Sequence, residues 1–261
     1  MKKVLIVFLI TAFLLLTACK GDEPSSVPAD ITASPAPEET PVSGAPVSTE
    51  TAAPAYGKNA AASVSDTAAL FFEGDEGLTL YGAVAYENTG DCPIVIDSAV
   101  FTFTAEGIPI EHSFSPAFSE YTVLLPGETS FLTAWLVQDE ETPFTAETEV
   151  SMAATLTARR AETDMRTLLL LDNLYLADNY PAFTTLSGRI RTEGASCGMN
   201  VIHTGFYDES GSFLGSWYFT KNTLLESGEA KDFVAQMHGF PIKGLSEKAH
   251  EIKAIGFGFT L

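Results

Sequence analysis

Apolar side chains recur at every second position in several short segments of the chain. The segment 78–86 (LTLYGAVAY) places Leu78, Leu80, Val84 and Tyr86 on one side, and the last seven residues (IGFGFTL) alternate in the same way. A period of two is expected of a β-strand that buries one of its faces. The pattern therefore predicts strands, each with one side toward a core.

Turn residues separate these predicted strands. Gly107 and Gly211 stand where hairpins must reverse, a position that favours a positive φ angle, and Pro-Gly at 126–127 has the composition of a tight turn. Helical patterns are weak, and we expect short helical turns only near 139–147 and 240–249. Many short strands with glycine-bearing turns are typical of an all-β sandwich.

The same order of motifs occurs twice after residue 63. The first copy has an Asn-Thr-Gly-Asp turn at 88–91 and Leu-Pro-Gly-Glu at 125–128, and the second has a Ser-Gly-Glu turn at 227–229. Gly82 and Gly188 lie in matching strands, which indicates a period of about 106 residues. The chain therefore predicts two tandem domains.

These motifs resemble the FxLYD-type domain of bacterial envelope proteins, an immunoglobulin-like β-sandwich. The resemblance rests on the Gly-x-Val/Ile strand, the Asn-Thr-Gly-Asp-x-Pro turn, Phe-Tyr-Asp-x-x-Gly at 206–211 and Pro-Gly-Glu, although the first copy has Thr104-Ala105 where Tyr-Asp is expected. It implies two immunoglobulin-like β-sandwich domains, an acidic one at 64–162 and a second at 163–261. The matching residues are turn and core residues, and the family carries no catalytic set.

The N-terminal segment has a different pattern. Two lysines precede an apolar run at 4–16, which is shorter than the roughly 20 residues of a membrane-spanning helix. The motif Leu16-Thr17-Ala18-Cys19 resembles the bacterial lipoprotein box. The resemblance implies that residues 1–18 are a signal peptide and that Cys19 receives a diacylglyceryl group. Two acyl chains anchor a protein stably, so we expect attachment to the extracytoplasmic face of the cell membrane.

Residues 19–63 differ from the rest in composition. Seven of the fourteen prolines lie here among Ser, Thr, Ala and Glu, and the segment after Cys19 contains no Leu, Phe, Trp or Met. Such a segment buries too little apolar surface to offset its ordering entropy. It is predicted to be a disordered linker between the lipid anchor and the domains.

Charge is distributed unevenly over the two predicted domains. The chain has a formal net charge of −20, and between Lys58 and Arg159 there are sixteen Asp and Glu but no Lys or Arg. From Arg159 to the end, ten cations face twelve carboxylates. The first domain should therefore repel nucleic acid and anionic headgroups, and lack internal ion pairs with Lys or Arg.

The acidic domain leaves several interpretations open. Its carboxylates form a solvated surface, a surface that repels the membrane, a binding site for a basic partner, or a calcium-binding site. The first calcium candidates are Asp139-Glu140-Glu141 and Glu73-Gly74-Asp75-Glu76, although the chain has no EF-hand loop pattern. These two acidic stretches alone do not predict a metal site.

Cys92 and Cys197 remain once Cys19 is assigned to lipidation. They lie in corresponding turns of the two copies, so a disulfide between them requires side-by-side domains, and two separate buried thiols are the alternative. No C-x-x-C redox pair is present.

The sequence contains no recognisable catalytic or cofactor motif. Its four histidines lack metal-ligand spacing, and S-x-x-K and H-E-x-x-H are absent. Gly-Ala-Ser-Cys-Gly at 194–198 has the letters of G-x-S-x-G but lies in a predicted turn between strands, whereas the hydrolase motif lies between a strand and a helix. Trp217-Tyr218-Phe219 is either an aromatic platform for a sugar or peptide, or a buried stretch of strand, the interpretation that we favour. We therefore expect no enzyme and no cofactor. The predicted function is an interaction or accessory module for an envelope protein or component, with cation or small-ligand binding by the acidic domain as the alternative.

Overall fold

The computed structural model describes residues 55–162, 166–179 and 183–259. They belong to one compact unit, Ala53–Leu261. The predicted signal peptide, Cys19 and most of the predicted linker lie outside the described residues. The elements are β1 Ala62–Gly74, β2 Gly77–Asn88, β3 Ile94–Ala105, β4 Ile108–Phe114, β5 Thr129–Val137, β6 Val150–Arg160, β7 Thr167–Asn179, β8 Phe183–Thr192, β9 Met199–Tyr207, β10 Phe213–Lys221, β11 Ala230–His238, α1 Leu245–Lys248 and β12 Glu251–Phe259. The all-β prediction is confirmed.

The strands pair in the same order in both halves of the unit. In the first half, β1-β2-β5 form one antiparallel sheet and β4-β3-β6 form another. In the second half, β7-β8-β11 and β10-β9-β12 repeat these two orders, and a three-residue pairing of β12 with β7 joins them into one six-stranded sheet. The predicted boundary after residue 162 falls between β6 and β7.

Corresponding turns fix how the two halves align. The Gly127 N–H donates to the Asn88 carbonyl at 2.8 Å, and the Gly228 N–H donates to the Thr192 carbonyl at 2.8 Å. Both glycines have positive φ angles, 80° and 77°, which glycine adopts without steric cost. Asn88 therefore corresponds to Thr192, 104 positions later.

This alignment corrects the expected pairing of Gly82 with Gly188. Gly188 lies opposite Phe233 as Val84 lies opposite Leu132, so Gly188 corresponds to Val84. The expected period was two residues too long. A shift of two residues keeps a side chain on the same face of a strand, which is why the sequence pattern did not reveal the error.

Each half has its own apolar core between its two sets of three strands. The first core contains Leu80, Val84, Phe101 and Phe103, all nearly inaccessible to solvent. The second core consists of buried apolar side chains: Leu186, Ile190, Ile202, Phe206, Leu225, Phe233, Met237 and Leu245. Burial of apolar surface of this kind is the main favourable contribution to folding.

The turn and helix predictions have mixed outcomes. Gly107 and Gly211 have φ angles of 79° and 80°, as the hairpins require. The helical turn expected in 240–249 is present as α1, whereas 139–147 contains turns but no helix. No helix in the described ranges has the length and apolar character needed to cross a membrane.

The folded part begins earlier than residue 64. The Gly57 N–H donates to the Asp91 carbonyl at 2.9 Å, and the Asn59 N–H donates to the Asp91 carboxylate at 2.7 Å. Tyr56 and Ala60 pack against the first core. The last residues assigned to the linker are therefore part of the fold, because the turn that contains Asp91 holds them.

Strand β2 is buried on both faces, unlike the half-buried strand that its alternation predicts. Leu80 and Val84 point into the first core, while Tyr81, Ala83 and Ala85 on the opposite face are also fully buried. The second face is covered by the β10-β9-β12 part of the second half. The two halves are thus packed directly against each other.

Candidate functional site

Tyr81 is the central contact between the two halves. Its hydroxyl donates to the Ser216 carbonyl at 2.7 Å and accepts the Ser216 N–H at 2.8 Å. The Ser216 hydroxyl lies 2.6 Å from the Thr133 hydroxyl and donates to the Leu132 carbonyl at 3.0 Å. Buried polar groups need such partners, and burial raises the pKa of Tyr81, so the phenol stays neutral.

Two glycines allow this close approach. A Cβ atom on Gly205 would overlap the ring of Phe131, and a Cβ atom on Gly215 would lie 2.7 Å from the Tyr81 hydroxyl oxygen. Gly215 also has a φ angle of 153°, which L-residues rarely adopt. Small residues on β9 and β10 therefore admit the aromatic side chains of the first half.

A second buried polar contact joins the halves beside these glycines. The Ser130 hydroxyl lies 2.9 Å from Nδ1 of His203, and both residues are buried. Burial lowers the pKa of His203 to about 4, so the imidazole is neutral at pH 7. Ser130 is fully buried and does not line the adjacent groove, which makes it a structural partner of His203 and not an accessible nucleophile.

Arg166 connects the start of the second half to a turn of the first. Its two guanidinium nitrogens donate to the two carboxylate oxygens of Glu128 at 2.6 and 2.7 Å, and one also donates to the Val123 carbonyl. The Arg166 side chain is only 6% exposed. Bidentate pairs of this kind are geometrically specific, so the Pro-Gly-Glu turn has a role in joining the halves.

The acidic half therefore does form ion pairs with arginine, contrary to our expectation. Arg159 contacts Asp97 across β3 and β6 at 2.6 Å, and Glu128 is paired with Arg166. The arginines come from the end of the first half and the start of the second. Sequence position hid these pairs because sheet pairing and packing bring together residues 62 and 38 positions apart.

A groove of about 230 Å³ opens at the junction of the halves. One wall is β5 at 131–135, the other is the end of β4 and the following loop at 112–117, and His203 and Tyr218 from the second half complete it. Tyr218 is 41% exposed. The groove is therefore accessible, largely apolar and built from both halves, as small-ligand and peptide sites commonly are.

Trp135 connects the β5 wall of this groove to the aromatic side chains at the junction of the two halves. Its ring packs edge-on against Tyr81, Phe72 and Trp217 at centroid distances of 4.9, 5.6 and 5.7 Å. Such aromatic pairs contribute beyond the area that they bury. The groove wall is consequently held in place by a packed aromatic cluster.

The interpretation of 217–219 as a buried stretch of strand is wrong for one of its three residues, Tyr218. Trp217 and Phe219 pack against the second core, whereas Tyr218 faces the opposite side, toward the groove. The alternation of side chains along a strand separates them. One residue of the aromatic platform hypothesis thus reaches an accessible surface.

Cys92 and Cys197 are free thiols, one in each core. In the structure they are therefore two separate buried thiols and form no disulfide with each other. Burial raises the pKa of both thiols, and the Cys197 thiol donates to the Asn200 side-chain oxygen at 3.1 Å. Both act as small core residues.

The calcium candidates lie at the same end of the β1-β2-β5 sheet but do not form a metal site. Glu73, Asp75 and Glu76 lie at the β1–β2 hairpin, and 139–141 follows β5. Among the described residues, no group of three or more His, Cys, Asp or Glu side chains is placed to hold a metal ion. The two acidic stretches therefore do not form a metal-binding site in this structure.

The groove residues were not predicted as a set. His112, Trp135, His203 and Tyr218 come from four different strands, and nothing in their local sequence links them. Only the exposed ring within 217–219 was a usable signal.

No protein-family model matches this chain, and a search of curated proteins finds no match either.

Proposed function

We propose that this protein is a lipid-anchored, extracytoplasmic component of a bacterial cell envelope that acts as a non-catalytic interaction module. Its partner is a protein or another envelope component. The anchoring part of the proposal is supported by Leu16-Thr17-Ala18-Cys19 and by the proline-rich segment that follows. The twice-repeated β-strand order is compatible with tandem FxLYD-type domains.

The observation that carries the interaction role is the groove. It exposes Tyr218 beside Trp135 and Phe114, and its walls come from both halves of the unit. Accessible aromatic side chains in a concave surface are favourable anchors for a partner. A membrane-attached module with such a surface can hold its partner near the membrane.

Anchoring is tested by metabolic labelling of the full chain with a fatty-acid probe. We expect label on the wild type and on Cys92→Ala, and loss of both label and membrane association in Cys19→Ala. An unlabelled wild type, or a Cys19→Ala variant that remains in the membrane fraction, contradicts the anchoring proposal.

The interaction role is tested by crosslinking in the native envelope. Tyr218→Ala removes the exposed groove ring, and Tyr175→Ala removes a similarly exposed ring, 59% accessible, from the β7 surface. We expect the crosslinked species of the wild type to persist in Tyr175→Ala and to disappear in Tyr218→Ala. Equal crosslinking by both variants would remove the groove from the proposal.

A further inference from the structure

Strand β5 has an open edge that faces the groove. Within the described residues it pairs only with β2, in a continuous register from Thr79 opposite Val137 to Glu87 opposite Thr129. An edge strand presents a row of unpaired backbone N–H and C=O groups, which is a template for another strand.

The hydrogen bonds at the two ends of this pairing show which residues face outward. The Asn88 N–H donates to the Glu128 carbonyl, and the Gln138 N–H donates to the Leu78 carbonyl. In an antiparallel pair these bonds involve alternate residues, so the even-numbered residues of β5 bond to β2. The backbone groups of Phe131, Thr133 and Trp135 consequently point to the open edge.

The features that commonly protect an edge strand from pairing are absent from β5. Residues 129–138 contain no charged residue, no proline and no glycine, and the register with β2 has no bulge. Natural edge strands are usually blunted by lysine, proline or a bulge. The edge of β5 is therefore suited to pairing, and the groove of about 230 Å³ lies directly beside it.

The second half contains a matched groove with different chemistry. It lies between β10 and β11, which correspond to β4 and β5, and has a volume of about 350 Å³. Its walls include Lys221 and Gln236, with Gln236 at the position that corresponds to Trp135. Both halves therefore have a groove at this position. The second is lined by Lys221 and one aromatic residue, Phe219, whereas the first has several aromatic residues and no Lys, Arg, Asp or Glu in its lining.

The charge around the first groove selects the partner. Asp139, Glu140 and Glu141 begin two residues after the end of β5, are all exposed, and form no ion pair within the described ranges. Complementary charge steers association and selects against like-charged partners.

We propose that the groove binds an extended, cationic peptide segment of a partner protein, which adds as a strand to the open edge of β5. Its backbone pairs with Phe131, Thr133 and Trp135, alternate apolar side chains contact Trp135 and Tyr218, and basic side chains reach residues 139–141. This inference rests on the proposed interaction role and names the partner class. Main-chain bonds supply affinity and side-chain contacts supply specificity in strand addition.

The test uses the full-length chain in detergent and the peptide Lys-Val-Thr-Val-Lys-Val-Thr-Val-Lys. We expect saturable binding that weakens with added salt. Replacing its lysines with glutamate should weaken binding at least about tenfold, as should methylating alternate backbone nitrogens, because the first reverses the charge and the second removes the strand hydrogen bonds.

Variants locate the site without disturbing the core. Reversing charge with Asp139→Lys, Glu140→Lys and Glu141→Lys together should weaken binding about tenfold, and Tyr218→Ala should also weaken it, while Tyr175→Ala should leave it unchanged. Amide hydrogen exchange provides a second measurement. On peptide binding, the amides of Phe131, Thr133 and Trp135 should slow at least about tenfold, whereas those of Val234 and Gln236 on β11 should not change.

Several results would overturn the inference. They are the absence of saturable binding up to about 1 mM, binding that tolerates backbone methylation, equal binding of the glutamate peptide, or protection at β11 in place of β5. If an uncharged oligosaccharide binds to the wild type and not to Tyr218→Ala, and the peptide does not bind, the groove is assigned to a carbohydrate instead. A negative result here leaves the fatty-acid labelling and crosslinking outcomes intact, so failure of this inference is distinguishable from failure of the proposed function.

Discussion

Asp208 organises the hairpin between β9 and β10. Its carboxylate accepts the N–H groups of Ser210 and Ser212 at 2.9 and 2.8 Å and the Ser210 hydroxyl at 2.7 Å. The hydrogen bonds from Ser210 and Ser212 hold the pKa of Asp208 below its usual value. The Asp of the Phe-Tyr-Asp motif therefore has a structural role, as a carboxylate in a tight turn commonly does.

His203 makes stability depend on pH. Its pKa is about 4 in the folded protein because of burial, against 6.5 as the ordinary value. Between these values the unfolded chain binds more protons than the native state, so stability falls as the pH is lowered from 6.5 to 4. The full contribution is roughly 3 kcal/mol, and it is present above pH 6.5.

We expect His203→Gln to remove this slope. Urea unfolding of the full chain at a series of pH values measures it, and the difference from wild type isolates His203 from the carboxylates. His238→Gln is the matched control, because His238 is exposed. If wild type and His203→Gln lose stability in parallel between pH 6.5 and 4, His203 is not the titrating group.

Gly205 should not tolerate a side chain. We expect Gly205→Ala to lower the free energy of unfolding by about 1–3 kcal/mol, because its methyl group would overlap the Phe131 ring and the core would have to shift. Chemical denaturation provides the measurement. In Gly194→Ala, the new Cβ would make only an ordinary contact with Thr167 at 3.7 Å, so a comparable loss there would contradict the packing argument.

Corresponding sheets in the two halves have opposite surface character. The outer face of β1-β2-β5 carries Tyr81, Ala85, Phe131 and Trp135 and is covered by the second half. The corresponding positions on β7-β8-β11 are Thr185, Arg189, Asp232 and Gln236. At these positions the sheet of the second half is therefore more polar than its counterpart, although Val234 and Tyr175 are also exposed on its strands.

The Arg166–Glu128 pair should stabilise the junction more than the exposed Arg159–Asp97 pair. Arg166 is almost completely buried, while both side chains of the second pair are more than 40% exposed. We expect Arg166→Gln to cost about 2–3 kcal/mol, because it leaves a partly buried carboxylate without its partner. Arg159→Gln should cost at most about 1 kcal/mol.

A double-mutant cycle with Glu128→Gln measures the coupling directly. Urea unfolding of the wild type, the two single variants and the double variant supplies the four values. A coupling no larger than that of Arg159 with Asp97 would show that burial adds nothing to this contact.

The whole molecule carries a strong excess of negative charge. Its net charge is −20, and like charges on a compact chain repel one another. Salt at about 0.15 M reduces the range of these interactions to roughly 8 Å. We expect the melting temperature of the full chain to rise with sodium chloride.

Differential scanning calorimetry across a sodium chloride series tests this expectation. An uncharged osmolyte such as sucrose controls for general solvent effects, since osmolytes stabilise proteins by exclusion from the surface. A melting temperature that stays constant or falls with salt would count against repulsion as a destabilising contribution.

The strand pattern, the turns and the internal repeat were readable from the chain because they depend on local chemistry. Alternation follows from the two-residue period of a strand, and Gly107, Gly127 and Gly211 occupy turns that need positive φ angles. These features involve residues close together in sequence. They were enough to predict an all-β fold and the order of its repeated parts.

The junction, the ion pairs and the groove depend on contacts between distant residues. Tyr81 meets Ser216 across 135 positions, and Ser130 meets His203 across 73. Alternation predicts one buried face for β2, but packing of the second half buries the other face as well. No local pattern encodes which surfaces meet, because that depends on the shape and polarity of whole sheet faces. The amino-acid order therefore specified the strands, whereas the packing of the two halves formed the accessible groove.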